Sequence, residues 1–144
     1  MPTTLGYVII ATHERTFVMM PAGKYYVGDL CYVMTDEEWD EVCGLLFEGR
    51  NDNGVNQGEF TLKDGRRFAS YHTKYGDGRY ESNMNTQHSV DSGGIGCILV
   101  DDIKASKYED LREFGAIIDF ESDFVTDNED GQLQFGRMLI ETSE

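Results

Sequence analysis

The sequence predicts an α+β domain in which a mainly antiparallel β-sheet or barrel of about eight short strands carries one amphipathic helix, residues 36–47, packed on it. Three observations lead there. Apolar runs rich in Val, Ile, Tyr and Phe are short and are separated by clusters of Gly, Asp and Asn, the pattern of strands joined by turns. One stretch, from Thr35 to Phe47, has its apolar residues at spacings of three and four instead. Size and content are those of a globular chain: 144 residues, 40% hydrophobic and 12% aromatic, enough to bury a core within a single domain spanning 1–144.

In chain order, residues 6–11 form an apolar, β-branched run, answered across Thr12-His13-Glu14-Arg15 by residues 16–20, which predicts an antiparallel pair. Pro21-Ala22-Gly23 is a turn, and residues 24–27 form the next strand. Gly28 and Asp29 are turn formers, after which the apolar run from Cys31 to Met34 suits a buried strand. Thr35 followed three residues later by Glu38 is a capping box opening the helix. Trp39, Val42, Cys43 and Leu46 make its apolar stripe, while Asp36, Glu37, Asp40 and Glu41 fill the other side and the positive N-terminal turn.

Residues 49–58, rich in Asn and Gly, are a surface loop. Strands resume at 59–63 and 66–72 around Asp64-Gly65, a strong hairpin signal. The turn Tyr75-Gly76-Asp77-Gly78 precedes a strand at 79–82, and residues 88–91 lead through Ser92-Gly93-Gly94 to an apolar strand at 95–100. Residues 106–112 read as a short helical turn capped by Ser106. The remaining strands are expected at 116–120, 123–125, 132–135 and 138–140, with a turn at Glu129-Asp130-Gly131.

Net charge is −15, from 27 acidic and 12 basic residues. Nucleic-acid and anionic-lipid binding both depend on basic side chains that displace counterions, so neither partner is expected. The acidic residues are dispersed rather than blocked, as on a solvated surface that repels its own kind. Cys31, Cys43 and Cys97 are an odd set without CxxC spacing, which points to neither a disulfide framework nor a zinc site. The first residues lack the basic and long apolar regions of a signal peptide, and no run reaches the length of a membrane span. A soluble, cytoplasmic protein is expected.

Four groupings bear on chemistry. Cys31 near a turn, His72 at a strand end and Asp91 (or Asp77) as orienter spell out a Cys-dependent hydrolase, against the alternative of an inert core thiol. Residues 126–131 resemble the opening of an EF-hand loop, but Thr126 stands where Asp is needed and Arg137 where the bidentate Glu would be, so no metal site is expected and a hairpin accounts for them. The glycine turns at 76–78 and 92–96 could offer backbone N–H groups to an anion, yet neither has the Walker A or dinucleotide spacing, and no cofactor follows. Finally, Tyr25, Tyr26, Tyr32, Trp39, Tyr71, Tyr75 and Tyr80 accompany Arg66, Arg67 and Arg79, aromatic faces with arginine forks that suit a small nucleotide-like anion as well as plain packing. Asp29, Tyr32, Tyr75, Asp77, Arg79 and Tyr80 are the candidate ligand-binding set.

Gly28-Asp29-Leu30-Cys31-Tyr32, then Trp39 and Cys43, and later Tyr75-Gly76-Asp77-Gly78-Arg79-Tyr80, resemble a family of small proteins of bacteria, phages and large viruses. Its members carry Gly-Asp-Pro-Cys-Tyr ahead of a Trp-bearing helix and later Tyr-Gly-Asp-Gly-x-Tyr. The similarity covers roughly residues 23–100 and departs at Leu30, where the family has Pro. It implies a viral or phage accessory protein and brings no catalytic residues with it.

The expectation is therefore a non-enzymatic binding module acting on a host or viral protein, or on a small anionic ligand. Its location would be the host-cell cytoplasm, and self-association is compatible with it. Two alternatives stay open: a structural virion component that decorates a capsid, and the Cys31-dependent hydrolase.

Overall fold

Where apolar residues run along a strand without alternation, both faces need cover. Four segments do so: Tyr25-Tyr26-Val27, Phe68-Ala69-Ser70-Tyr71, Ile95-Gly96-Cys97-Ile98 and Ala116-Ile117-Ile118. The structure, a computed structural model, describes residues 17–48, 56–104 and 110–143. Its strands are β1 (Val18–Met20), β2 (Gly23–Gly28), β3 (Gly58–Thr61), β4 (Arg67–His72), β5 (Gly78–Glu81), β6 (Gln87–Val90), β7 (Gly94–Leu99), β8 (Gly115–Phe120), β9 (Phe124–Glu129), β10 (Gln132–Phe135) and β11 (Met138–Glu141), with one α-helix, α1 (Asp36–Phe47). The four doubly apolar segments fall in β2, β4, β7 and β8. With β3 they form one antiparallel sheet in the order β3-β4-β7-β2-β8.

That sheet is the middle layer. Tyr25, Val27, Tyr71, Ile95, Cys97 and Ile118 face a second antiparallel sheet, β1-β9-β10-β11, and pack on Phe124, Leu133, Phe135 and Ile140. The alternate residues Tyr26, Phe68, Ile98 and Ile117 face α1, packing with Leu30, Val33, Met34 and Val42. Each large side chain so enclosed contributes about 1.5–3 kcal/mol relative to exposure. The β5–β6 hairpin closes one side, its end bridged to β11 between Ser82 and Ile140. Among the described residues no helix is long and apolar enough to cross a membrane.

The helix and several turns form where local chemistry asks for them. Thr35 Oγ1 accepts the Glu38 N–H at 3.1 Å, and Glu38 Oε1 accepts the Thr35 N–H at 2.8 Å, which is the capping box. Glu38 Oε2 meets Arg66 Nη1 at 2.6 Å, fastening the helix start to the β3–β4 turn. In the β9–β10 hairpin Glu129 pairs with Gln132, so Asp130-Gly131 is a two-residue loop. Their φ values of 52° and 95° are those of a type I′ turn, not of a calcium loop.

The expected strand from Cys31 to Met34 is corrected. Leu30–Tyr32 is a 3-10 turn. The Asp29 side chain accepts the Cys31 N–H, and the Val33 N–H bonds back to the Leu30 carbonyl at 3.1 Å, curling the backbone away from a sheet. The run is still buried, because Leu30 sits on Gly96 of β7. A Cβ at Gly96 would lie 2.9 Å from Leu30 Cδ1 and 2.2 Å from the Ala69 carbonyl oxygen, so only glycine lets the turn approach this closely. The expected strand at 16–20 is present as β1, which pairs with β9. Its expected partner at 6–11, most of the 49–58 loop and the start of the 106–112 turn lie outside the described residues. Of that turn, Leu111–Glu113 is a 3-10 turn capped by Asp110.

Candidate functional site

Asp29 is fully buried, and a buried carboxylate is costly unless its lone pairs are occupied. Four donors occupy them. Oδ1 accepts the Cys31 N–H at 3.0 Å and the Ser92 hydroxyl at 2.6 Å; Oδ2 accepts the N–H groups of Asp91 and Ser92 at 2.8 and 2.7 Å. One side chain thereby ties the 3-10 turn to the turn before β7. Beside it, the Tyr26 hydroxyl donates to the Asp29 carbonyl at 3.0 Å. The Tyr32 hydroxyl donates to Asp91 Oδ2, and its ring stacks on Phe114 with centroids 4.3 Å apart. Burial first, then the Asp91 hydrogen bond and charge, push the Tyr32 phenol above its ordinary range.

The chain of contacts continues into the second motif. Gly93 offers its carbonyl to the Thr73 N–H at 3.0 Å, the Thr73 hydroxyl donates to the Gly76 carbonyl at 2.6 Å, and the Tyr80 hydroxyl reaches the same carbonyl at 2.9 Å. So Asp29, Tyr32, Asp91 and Tyr80 belong to one hydrogen-bonded frame built around the turns at 91–93 and 73–76. Tyr75, Asp77 and Arg79 stand outside it on the surface, and Tyr75 is 65% exposed. Among the described residues Arg79 makes no ion pair.

A groove of about 250 Å³ opens between α1 and the frame. Trp39, Cys43, Leu46 and Phe47 form its helix wall, Ser70 and His72 of β4 its floor, and Leu30, Asp29 and Ser92 to Gly94 its end. Ser70 and His72 share the helix-facing side of β4 with Phe68, two residues apart, as strand alternation requires. Ser70 is 7% exposed, its side chain makes no hydrogen bond among the described residues, and neither does the His72 ring. Burial lowers the His72 pKa, leaving a neutral imidazole with one donor and one acceptor. Among the described residues no Lys or Arg lines the groove.

The arginines expected to flank an anion are dispersed. Arg66 is held by Glu38 and Asp64, at 2.6 and 2.8 Å; Arg67 pairs with Glu59; Arg79 is on β5. His72 shares the groove with Cys43 rather than with Cys31, which packs against the helix-side core, and Asp91 is engaged by Tyr32. Burial, and then the charge of Asp40, raise the Cys43 thiol, and burial pushes Cys97 up to about 12, so both stay protonated at neutral pH. Among the described residues no group of three or more His, Cys, Asp or Glu is placed to hold a metal.

Sequence reasoning missed Ser70 and Phe47, and took Gly93 and Gly94 as turn residues or an anion-binding backbone, not as the end of a groove. The helix wall had a signal in the spacing of Trp39, Cys43 and Leu46, but nothing local announces the opposite wall. No family model, no curated protein and no solved structure matches the chain.

Proposed function

We propose that the protein is a non-enzymatic binding module that seats a single side chain of a partner protein in the groove between α1 and β4. The observation that carries this reading is the groove itself: apolar walls from Trp39, Leu46 and Phe47 above unpartnered Ser70 and His72. Phe47 is 45% exposed, large for a Phe on a helix that otherwise shields a core. At about 250 Å³ the groove falls below the ~300–1,000 Å³ of pockets that enclose whole small ligands, and matches the scale of an interface pocket that takes one anchor residue. With no cation among the described lining residues, a nucleotide-like anion finds no charged partner there. The Gly28–Tyr32 and Tyr75–Tyr80 resemblance supports an accessory role in a virus or phage, with the Asp29 frame holding the groove's end in shape.

Trp39 is the chain's one tryptophan, so its emission reports on this groove. A neutral peptide, Ac-Gly-Gly-Tyr-Gly-Gly-amide, is expected to shift that emission saturably in the native protein. The shift should vanish in Cys43→Leu, which fills the groove from a half-buried helix position. An emission change that survives the filling would sink the reading. Thiol chemistry has its own check: Cys43 should alkylate slowly with iodoacetamide at pH 7, and fast labelling of Cys31 in the same experiment would reopen the hydrolase.

A further inference from the structure

We infer that the partner segment which fills the groove is a tyrosine flanked by Lys or Arg residues. This rests on the reading above and adds the chemistry of the occupant. The anchor's identity comes from the contrast between wall and floor. Trp39, Leu46 and Phe47 offer apolar area, but a purely aliphatic anchor would leave the Ser70 hydroxyl and the neutral His72 ring covered and unpaired. An aromatic body with a hydroxyl at its tip satisfies both demands. The indole of a tryptophan is bulkier and can only donate, whereas a phenol can donate and accept.

The flanks come from charge. From Thr35 to Glu48 the chain carries Asp36, Glu37, Glu38, Asp40, Glu41 and Glu48 and not one Lys or Arg. Glu38 pairs with Arg66 and Glu41 accepts the Lys63 N–H, while Glu37, Asp40 and Glu48 are exposed. Asp40 borders the groove closely enough for its charge to act on Cys43, and the exposed Asp91 stands at the other end, next to Ser92. An anchor entering between these rims passes carboxylates on either side. Lys or Arg on its flanks gains from them, and Glu or Asp is repelled.

The test titrates the full chain with Ac-Lys-Lys-Tyr-Lys-Lys-amide, following Trp39 emission. Companion peptides replace Tyr by Phe, or the four lysines by Gly or by Glu. The Lys-flanked Tyr peptide should bind about tenfold more tightly than the Gly-flanked one at low salt and lose most of that advantage near 0.5 M salt, while the Glu-flanked one shows no saturable binding. Asp40→Asn, a surface change that leaves the fold intact, should reduce the advantage. The Phe peptide should bind about five- to tenfold more weakly than Tyr in the native protein, and that gap should narrow in Ser70→Ala, where His72 alone is left to pair the phenol.

Equal binding of Lys- and Gly-flanked peptides overturns the cationic flank, and equal binding of Tyr and Phe overturns the tyrosine. In both cases the groove still serves as a docking site. Failure of every peptide to move Trp39 overturns the groove reading itself.

Discussion

Asp29 shows how much one side chain can organise. Its four donors come from two turns that lie far apart in sequence, and an amide in its place would set an NH2 group against N–H donors that need an acceptor. Asp29→Asn is therefore expected to lower the unfolding free energy by about 2–4 kcal/mol in urea titration, since hydrogen bonds to a charged acceptor are worth about 1.5–3 kcal/mol each and only part is lost. His88 makes a different prediction. It is fully buried, with Nδ1 3.1 Å from the Val27 carbonyl and Nε2 2.8 Å from Thr86 Oγ1, whose hydroxyl neighbours Ser82 Oγ at 2.6 Å. Nδ1 donates to the carbonyl, so Nε2 accepts from Thr86, and the ring is neutral. Burial lowers its pKa to about 4, only partly opposed by the Val27 hydrogen bond. Because the unfolded chain takes up the proton first, this stabilisation is complete above the ordinary value of about 6.5 and is lost as pH falls towards about 4. The loss approaches about 1.4 kcal/mol per pH unit and about 3 kcal/mol in all. Chemical denaturation across that window should show the slope. In His88→Asn, whose amide can still donate to Val27, the slope should be clearly smaller, with the other buried imidazole, His72, supplying part of what is left.

At the scale of elements, α1 is held by its ends and by one buried face. Glu38 serves twice, as capping acceptor for Thr35 and as ion-pair partner of Arg66, with side-chain exposures of only 11% and 12% across the pair. Burial pushes its carboxyl up, but the Thr35 N–H and the Arg66 guanidinium outweigh this and hold it below the usual range. Glu38→Gln keeps the cap and removes the charge, and should lower the melting midpoint with a loss of about 1–3 kcal/mol. This helix was legible in the sequence from cap to last turn because its signals are local: a capping box, a spacing of three and four, acidic residues in the first turn. The Asp130-Gly131 hairpin and the alternation of Leu133 and Phe135 with glutamines were legible for the same reason. The run from Cys31 to Met34 was not. A buried apolar run looks the same in a strand and in a 3-10 turn, and what decides between them is the Asp29 carboxylate, whose other donors lie past residue 90. Likewise the groove's helix wall could be read and its floor could not, because Ser70 and the 92–94 turn meet only through the pairing of β4 with β7. Arg66 and Arg67 looked like one basic patch, yet neighbours along an extended chain point to opposite sides, one towards α1 and one towards β1.

The whole molecule is a doubly covered sheet wrapped in negative charge. Twelve cations cannot screen 27 carboxylates, so the folded state works against its own repulsion. Raising salt from about 0.01 M to about 0.2 M shortens the Debye length from about 30 Å to below 10 Å. The thermal midpoint should rise over that interval, and a midpoint that falls would mean that pairs such as Arg66–Glu38 outweigh the repulsion. The order β3-β4-β7-β2-β8 has a bearing on how the protein is made. β2 waits for β7 and β8, and β1 for β9, so the middle sheet cannot close until residue 120 has left the ribosome, nor the second sheet until residue 141. At about 5–20 residues per second, the apolar faces of β2 stand open for several seconds in every nascent chain. On a polysome, where such chains emerge side by side, the carboxylates that burden the finished fold keep unfinished neighbours apart.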